Sequence, residues 1–497
     1  MSALAAAAIV TALVGLPAGS TAPPPGSVPP GSHLQVLDRQ LGIVAVELRR
    51  RGATHAIARL RRAPGVRYAT ISTPAGGLAS AAGCTFATPN GPGTGSASWR
   101  KTIGLGKHSA AGFTVGIPDT GADLSRLGGS RDRLQVRNFT QSQGVTDEVD
   151  HGTEVASLIG ADRPDLGVQG VAPDVGLAIA RIAKSGNCDT GTISRNLIAA
   201  FAWFRRIGDV QIVNVSANIS PSPALIESLR ALQESGTLVV AATGNDANPG
   251  TGTFPATQPH VLGVGALAAG GRAVWSHSGQ GPQVDLVAPG GGLGVVYSSF
   301  GSPEQQSGAT VLATSFATPL VSGAAALVWA KHSSWNASRV AAALTMSAKH
   351  LSGGRPNTTS GYGMLDVRAA LRAAPPADLD EPNDWASAAA KFTALTHKVT
   401  YAATVGGNND PLDAYPMTTK GKSVVTITDG KGTLQAYLLR ASALSSVDPS
   451  GKKLRGASST HASGHTVHLR VPGKGHWYLV VMAPQSNAPT GYSLRLP

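Results

Sequence analysis

The chain is predicted to fold as α/β, with a mostly parallel sheet covered by helices on both faces, because strand-like and helix-like segments alternate from Phe113 onward. Two features of composition agree. The 61 glycines and only 5% aromatic residues describe a tightly turned chain packed with small aliphatics, and 42% hydrophobic residues leave material for a large core. At 497 residues, two or three domains are expected. A small α/β unit is predicted before the parallel sheet and a β-sandwich after it.

In chain order, Leu4 to Leu16 is an apolar run of the length of a signal-peptide core, and Ser20-Thr21-Ala22 ahead of Pro23 offers a small-residue cleavage site, although no Lys or Arg precedes it. Residues 1–22 are therefore read as a signal peptide, and the protein as secreted, extracellular or periplasmic. The low charged fraction, 14%, fits export. Residues 23–33 are Pro/Gly/Ser-rich linker. Ile43 to Leu48 then alternates like a strand, Ala53 to Arg62 like a helix with apolar Ile57 and Leu60, and Pro64-Gly65 turns into Val66 to Ala69. This β-α-β unit, with the linker, occupies 23–83.

In the main domain, 84–374, Ile193, Leu197, Phe201 and Phe204 form a helical stripe followed by a strand over Val210 to Val215. Leu225, Leu229 and Leu232 form another, stopped at Gly236 before the strand that begins at Thr237. Trp203 and Trp329 are read as packing residues. Ala373-Ala374-Pro375-Pro376 marks a boundary, and residues 375–497 carry short alternating segments over Ser423 to Thr428, Thr466 to Val471, Trp477 to Val481 and Gly491 to Leu496, the pattern of a β-sandwich.

Four segments carry chemistry. Phe113 to Gly121 reads as a buried strand that delivers Asp119 to the ligand-binding edge of an α/β sheet. His151 to Gly160 puts a histidine at the first turn of an apolar helix, where Gly152 permits close approach and the helix dipole discourages a charged imidazole. Leu238 to Asp246 is a short strand ending in Gly244-Asn245, whose side-chain amide is a neutral donor. Ala313-Thr314-Ser315-Phe316-Ala317-Thr318-Pro319 opens a helix of small residues with a hydroxyl nucleophile beside unpaired backbone N–H groups. An isolated serine there is an ordinary cap. In company, Asp, His and Ser make an acid, a base and a nucleophile.

These boxes, Asp-Thr-Gly, His-Gly-Thr, Gly-Asn and Thr-Ser-Phe-Ala-Thr-Pro, resemble those of the subtilisin-like serine peptidases, in the family's order and at family-like separations. The likeness also covers Gly170 to Pro173, Asn214 to Ser216 and Val284 to Gly290, and runs from about residue 100 to 372. It implies a subtilisin-like fold and a serine endopeptidase in which Asp119 orients, His151 is general base and acid, Ser315 attacks, and Asn245 with the Ser315 N–H holds the oxyanion. Substrate would lie along Ser216, Ala217 and Asn218, with Gly291 to Gly294 as a second edge and a side chain near Ala242, Thr243 and Gly244. The unit within 23–83 is similar to the family's inhibitory propeptide, and the C-terminal region to the β domains appended to secreted bacterial peptidases. This sequence departs from the pattern at Ala313, where glycine is usual, at Glu154, where a second histidine is common and a carboxylate could perturb His151, at Pro118 before the acid, and at Ala217-Asn218 in place of Leu-Gly.

Cys84 and Cys188, an even pair in an exported chain, are expected to form one disulfide. The net charge of +13 invites a polyanion, but Arg49, Arg50, Arg51, Arg59, Arg61, Arg62 and Arg67 lie in the segment expected to be removed, so no nucleic acid is expected. No later run reaches a membrane span, and no anchor is expected. The expected partners are protein or peptide substrates and the chain's own propeptide, with the enzyme a monomer. No metal serves the chemistry; structural calcium is compatible with Asn408, Asn409, Asp410 and Asp413, but no loop demands it. Two other readings stay open: a catalytically degenerate binding protein on the same scaffold, and a basic polyanion-binding secreted protein.

Overall fold

A computed structural model describes residues 9–72, 96–290, 313–375 and 400–495, except 51, 130, 141, 143, 167, 185–189, 248–252, 269–270, 272, 282, 352–356, 406–411, 420, 430–433, 441–457, 465 and 483–489. Cys84, Cys188, Gly291 to Gly294 and Asn408 to Asp410 thus lie outside the described residues.

The N-terminal unit is an antiparallel sheet of β1 (Ile9–Gly15), β2 (Leu34–Asp38), β3 (Ile43–Arg49) and β4 (Tyr68–Ser72) in the order β2-β3-β1-β4, with α1 (Ala53–Arg62) after β3. The run expected as a leader core therefore has another place: β1 is an inner strand, paired with β3 from Ile9↔Arg49 to Gly15↔Ile43 and with β4 from Thr11↔Ser72 to Gly15↔Tyr68. The boundary expected at residue 22 falls inside this unit, between β1 and β2. Ala12 and Val14 face Ala53, Ala56, Ile57 and Leu60 of α1, whereas Leu13, with Leu37, Ile43 and Ala45, packs into the main domain. A strand covered on both faces is apolar at every position, so its sequence loses the alternation that would mark it as a strand.

The main sheet has seven strands: β5 (Thr114–Asp119), β6 (Leu134–Asn138), β7 (Gly176–Arg181), β8 (Ile212–Val215), β9 (Leu238–Ala242), β10 (Val261–Leu267) and β11 (Leu286–Pro289). Their order is β11-β10-β9-β8-β5-β7-β6, parallel throughout, as predicted. Alternate residues divide between two cores. Val115, Ile117, Ile179, Ile212 and Val240 face α2 (His151–Gly160) and α5 (Thr314–Lys331); Ala178, Ala180, Val213, Val215, Val239 and Ala241 face α3 (Thr190–Ile207) and α4 (Pro223–Glu234). The helical stripes expected on α3 and α4 pack into this second core, together with Trp203; only Ile193, at the start of the α3 stripe, is partly buried. Trp329 belongs to the first.

The N-terminal unit sits against α3 and α4. Its apolar contacts are framed by ion pairs from Arg205 to Asp38 and from Arg67 to Glu227, and by the Tyr68 hydroxyl, which donates to Glu227 at 2.7 Å. Pro118 is tolerated in an inner strand because pairing with β8 ends at Gly116, two residues before it. In α5, by contrast, Pro319 stands inside the helix, with consequences for the site.

The C-terminal region forms two four-stranded antiparallel sheets. β12 (Thr400–Val405), β14 (Ser423–Asp429), β17 (Thr466–Val471) and β19 (Thr490–Arg495) make one, in the order β12-β19-β14-β17. The other runs β13-β18-β15-β16 through β13 (Leu412–Thr419), β15 (Leu434–Arg440), β16 (Ser458–Gly464) and β18 (Gly475–Met482). Inward residues of both, among them Tyr415, Val425, Leu438, Leu469 and Trp477, share one core, which makes the pair a sandwich.

Candidate active site

Two helix starts and two strand ends converge at the carboxyl edge of the main sheet. Asp119 is the last residue of β5, and its Oδ1 lies 2.8 Å from Nδ1 of His151, the first residue of α2. Both are buried. The carboxylate also accepts the Thr120 N–H at 2.8 Å, while the Thr120 hydroxyl oxygen accepts the Gly152 N–H at 2.9 Å. Gly152 is required here, because a Cβ would overlap the carbonyl oxygen of Gly121. With Nδ1–H committed to Asp119, the neutral imidazole carries its lone pair on Nε2.

The first turn of α2 is held by Asp147, which the sequence reading missed. Its carboxylate accepts the N–H groups of Val149, Asp150 and Thr153 and the Thr153 hydroxyl at 2.8–3.0 Å, although it stands outside the usual cap position. Asp150, the residue at that position, adopts φ 71° and makes no side-chain cap bond. Burial on its own would push the His151 pKa down; the charge and hydrogen bond of Asp119, joined by the charge of Asp147, outweigh it and hold the imidazole above its ordinary value. The dipole effect expected at this helix start is thus overridden by two carboxylates.

Ser315 is the second residue of α5, not its cap; Ala313 takes the cap position with φ −156° and ψ 148°, extended backbone that any residue adopts, so its methyl brings no strain. Lacking a capping side chain, Ala313 leaves the helix start to Asn245: its Oδ1 accepts both the N–H and the hydroxyl of Thr314 at 2.9 Å. A backbone N–H can only donate, so the amide must present oxygen to the helix and its Nδ2 elsewhere. That leaves a neutral donor at the exposed end of Asn245, one residue from Ser315.

Pro319 has no N–H, which frees the carbonyl of Ser315 from the helix ladder. That oxygen accepts instead from the Ser216 hydroxyl at 2.8 Å, and the Ser315 hydroxyl donates to the Ser216 carbonyl at 3.3 Å. Ser216 is steadied by the Asn214 amide, which donates to its Oγ at 3.0 Å and accepts from Ser322 of α5 at 2.8 Å. Asn214 and Ser322 are fully buried, a polar tie between β8 and α5 that nothing local in the sequence announces. The ring of Phe316, next to Ser315, lies 5.7 Å from the His151 ring, so the two helix starts meet.

Of the residues expected to line a substrate, Ser216 is buried, Ala217 half-buried and Asn218 exposed, immediately past β8. Ala242 ends β9, and Thr243 and Gly244 follow it. Thr253, also missed, donates its hydroxyl to the Ala242 carbonyl at 3.0 Å, and its methyl lies 2.6 Å from where a Gly244 Cβ would stand. Gly244 is needed twice over, since its φ is +96°.

A parallel α/β sheet presenting an acid, a histidine, a hydroxyl at a helix start and an amide at one edge defines the serine-type peptidase class. The chain belongs to the Subtilase family (Peptidase_S8), which residues 110–363 match. It is 34% identical over 276 residues to alkaline elastase YaB of Bacillus sp. (strain YaB), a match spanning 53% of this chain and 66% of that protein. It is 32% identical over 275 residues to subtilisin DY of Bacillus licheniformis, across 53% of this chain and 93% of the relative. Among solved structures, MycP1 from the ESX-1 type VII secretion system is similar, with 23% identity and a TM-score of 0.49 over 58% of this chain and 90% of that one.

Proposed function

We propose that this protein is an exported endopeptidase that cleaves peptide bonds through an acyl-enzyme formed on Ser315. In this reading His151 Nε2 takes the Ser315 proton as the hydroxyl turns from the Ser216 carbonyl, and later returns it to the leaving amine. Asp119 fixes the tautomer and faces the imidazolium. The oxyanion of the tetrahedral intermediate is received by Asn245 Nδ2 and the Ser315 N–H, both at the positive end of α5. Substrate backbone extends along Ser216 to Asn218.

The observation that carries the reading is the Asp119–His151 bond at 2.8 Å on a helix whose first turn packs its imidazole against the residue next to Ser315. An intact set of groups favours hydrolysis over a binding-only relative. The N-terminal unit, seated on α3 and α4, fits an inhibitory propeptide released on maturation, and the low charged fraction fits export. Among the described residues no helix is long and apolar enough to cross a membrane.

A fluorophosphonate probe tests this directly: after release of the N-terminal unit it should label the wild type and leave Ser315→Ala unlabelled, with peptide hydrolysis lost in parallel by about 10⁴-fold or more. Equal labelling of both proteins, or hydrolysis that survives Ser315→Ala, would overturn it.

A further inference from the structure

Glu154 is the buried acid that the mechanism leaves unused. It sits three positions after His151 on α2, on the same side of the helix, and is 1% exposed. Its Oε2 has no hydrogen-bond partner among the described residues. A carboxylate left in that condition would be far more costly than a neutral carboxylic acid.

The charges around it sharpen the point. On its own helix and the loop before it stand His151, Asp150 and Asp147; β5 brings Asp119. The short helix Leu124–Leu127 packed beside α2 brings Arg126, bonded to Asp123 at 2.8 Å, and β7 brings Arg181, paired with Glu148 at 2.9 Å. The strand Val168–Gln169 carries no charge, and α5 carries only Lys331, at its far end. Burial first, then Asp150, Asp147 and Asp119, hold the Glu154 carboxyl well above the usual carboxylate range.

We propose that Glu154 is a positioning residue for His151: uncharged, it completes the packing behind the first turn of α2, and its ionisation sets the alkaline limit of the enzyme. A fourth negative charge beside Asp119, Asp147 and Asp150 is relieved when the first turn moves outward and takes up water. That turn carries His151, so the imidazole leaves Asp119 and Ser315. The sign for stability follows. Because the folded-state pKa is raised, stability is fully present below the pKa of an unfolded glutamate and is lost as pH rises towards and through the folded value.

The kinetic part of this inference rests on the peptidase reading; the stability part does not. Two measurements keep them apart. Melting temperatures of full-length Ser315→Ala and of the same protein with Glu154→Gln, from about pH 5 to pH 10, should diverge progressively as pH rises, the Gln protein holding the higher value at the alkaline end. In the active background, the ratio of kcat near pH 10 to kcat near pH 6 should be about tenfold higher for Glu154→Gln than for wild type, with KM following the same course in both. Glu154→Met serves as a second uncharged variant should the Gln protein fold poorly. Parallel melting profiles, or equal kcat ratios, would overturn the proposal. Complete absence of Ser315-dependent turnover would sink the peptidase reading and the kinetic role with it, and the melting profiles would then decide whether Glu154 is held uncharged.

Discussion

The starts of α2 and α5 meet at one site and solve the same problem in opposite ways. Each helix must satisfy its leading N–H groups without a side chain at the cap position, and each borrows an oxygen from elsewhere. On α2 the donor groups go to a charged carboxylate, Asp147, from the preceding loop; on α5 Thr314 goes to a neutral amide, Asn245, from the end of β9. The proposed mechanism accounts for the choice. In it His151 becomes positive and gains from a nearby negative charge, whereas the space beside Ser315 receives an oxyanion, which a carboxylate would repel.

Exchanging the caps is therefore the sharpest way to break this comparison. Asn245→Asp keeps the oxygen that caps α5 but replaces the outward donor with negative charge, so kcat should fall by about 10²–10³-fold, a scale taken from a subtilisin, with little change in melting temperature. A loss of stability as large as that of Asn245→Ala would show that the cap oxygen had not been kept. Asp147→Asn is expected to act on the other helix, costing about 1–2 kcal/mol in chemical denaturation as a weakened cap. It also removes one of the charges that raise the imidazole. The His151 pKa should drop, so the acid limb of kcat/KM should move to lower pH, and the stability linked to the raised pKa should be lost from the acidic side, where it is present. An acid limb that stays in place would assign the raised imidazole to Asp119 alone.

The smallest expected effect concerns Pro319. Pro319→Ala restores an N–H that can compete for the Ser315 carbonyl, loosening its bond from Ser216. The helix should gain stability while kcat falls by a few-fold, on the order of a single weakened hydrogen bond. Gains in both would mean that the tie to Ser216 does not position the nucleophile.

Much of the catalytic region is legible from residue type and order. Asp119, His151, Asn245 and Ser315 each stand at the end of a strand or the start of a helix whose periodicity is plain, and the structure brings them to one edge of the sheet. The stretches at Ser216 and Ala242, expected to line a substrate, follow from the same strands. The N-terminal unit shows where such reading fails. Leu4 to Leu16 has the composition of a leader core, yet Ile9–Gly15 is an inner strand, and its second apolar face is explained only by α3 and α4, more than 170 positions downstream.

By itself, then, the sequence determined the fold class and the identity and order of the four candidate groups, because these reside in residue identity and in periodicities of two and of about 3.6, whereas Glu154 stood out only against the family resemblance. Tertiary structure alone decided that Asp147 caps α2, that the Asn245 amide turns its oxygen to α5, that the Ser315 carbonyl goes to Ser216, and that Glu154 is buried beside Asp119, Asp147 and Asp150. Each of these depends on which distant group fills a hydrogen bond or covers a face. Local pattern carries a residue's capacity to bond or to be buried, and only the packed chain assigns the partner.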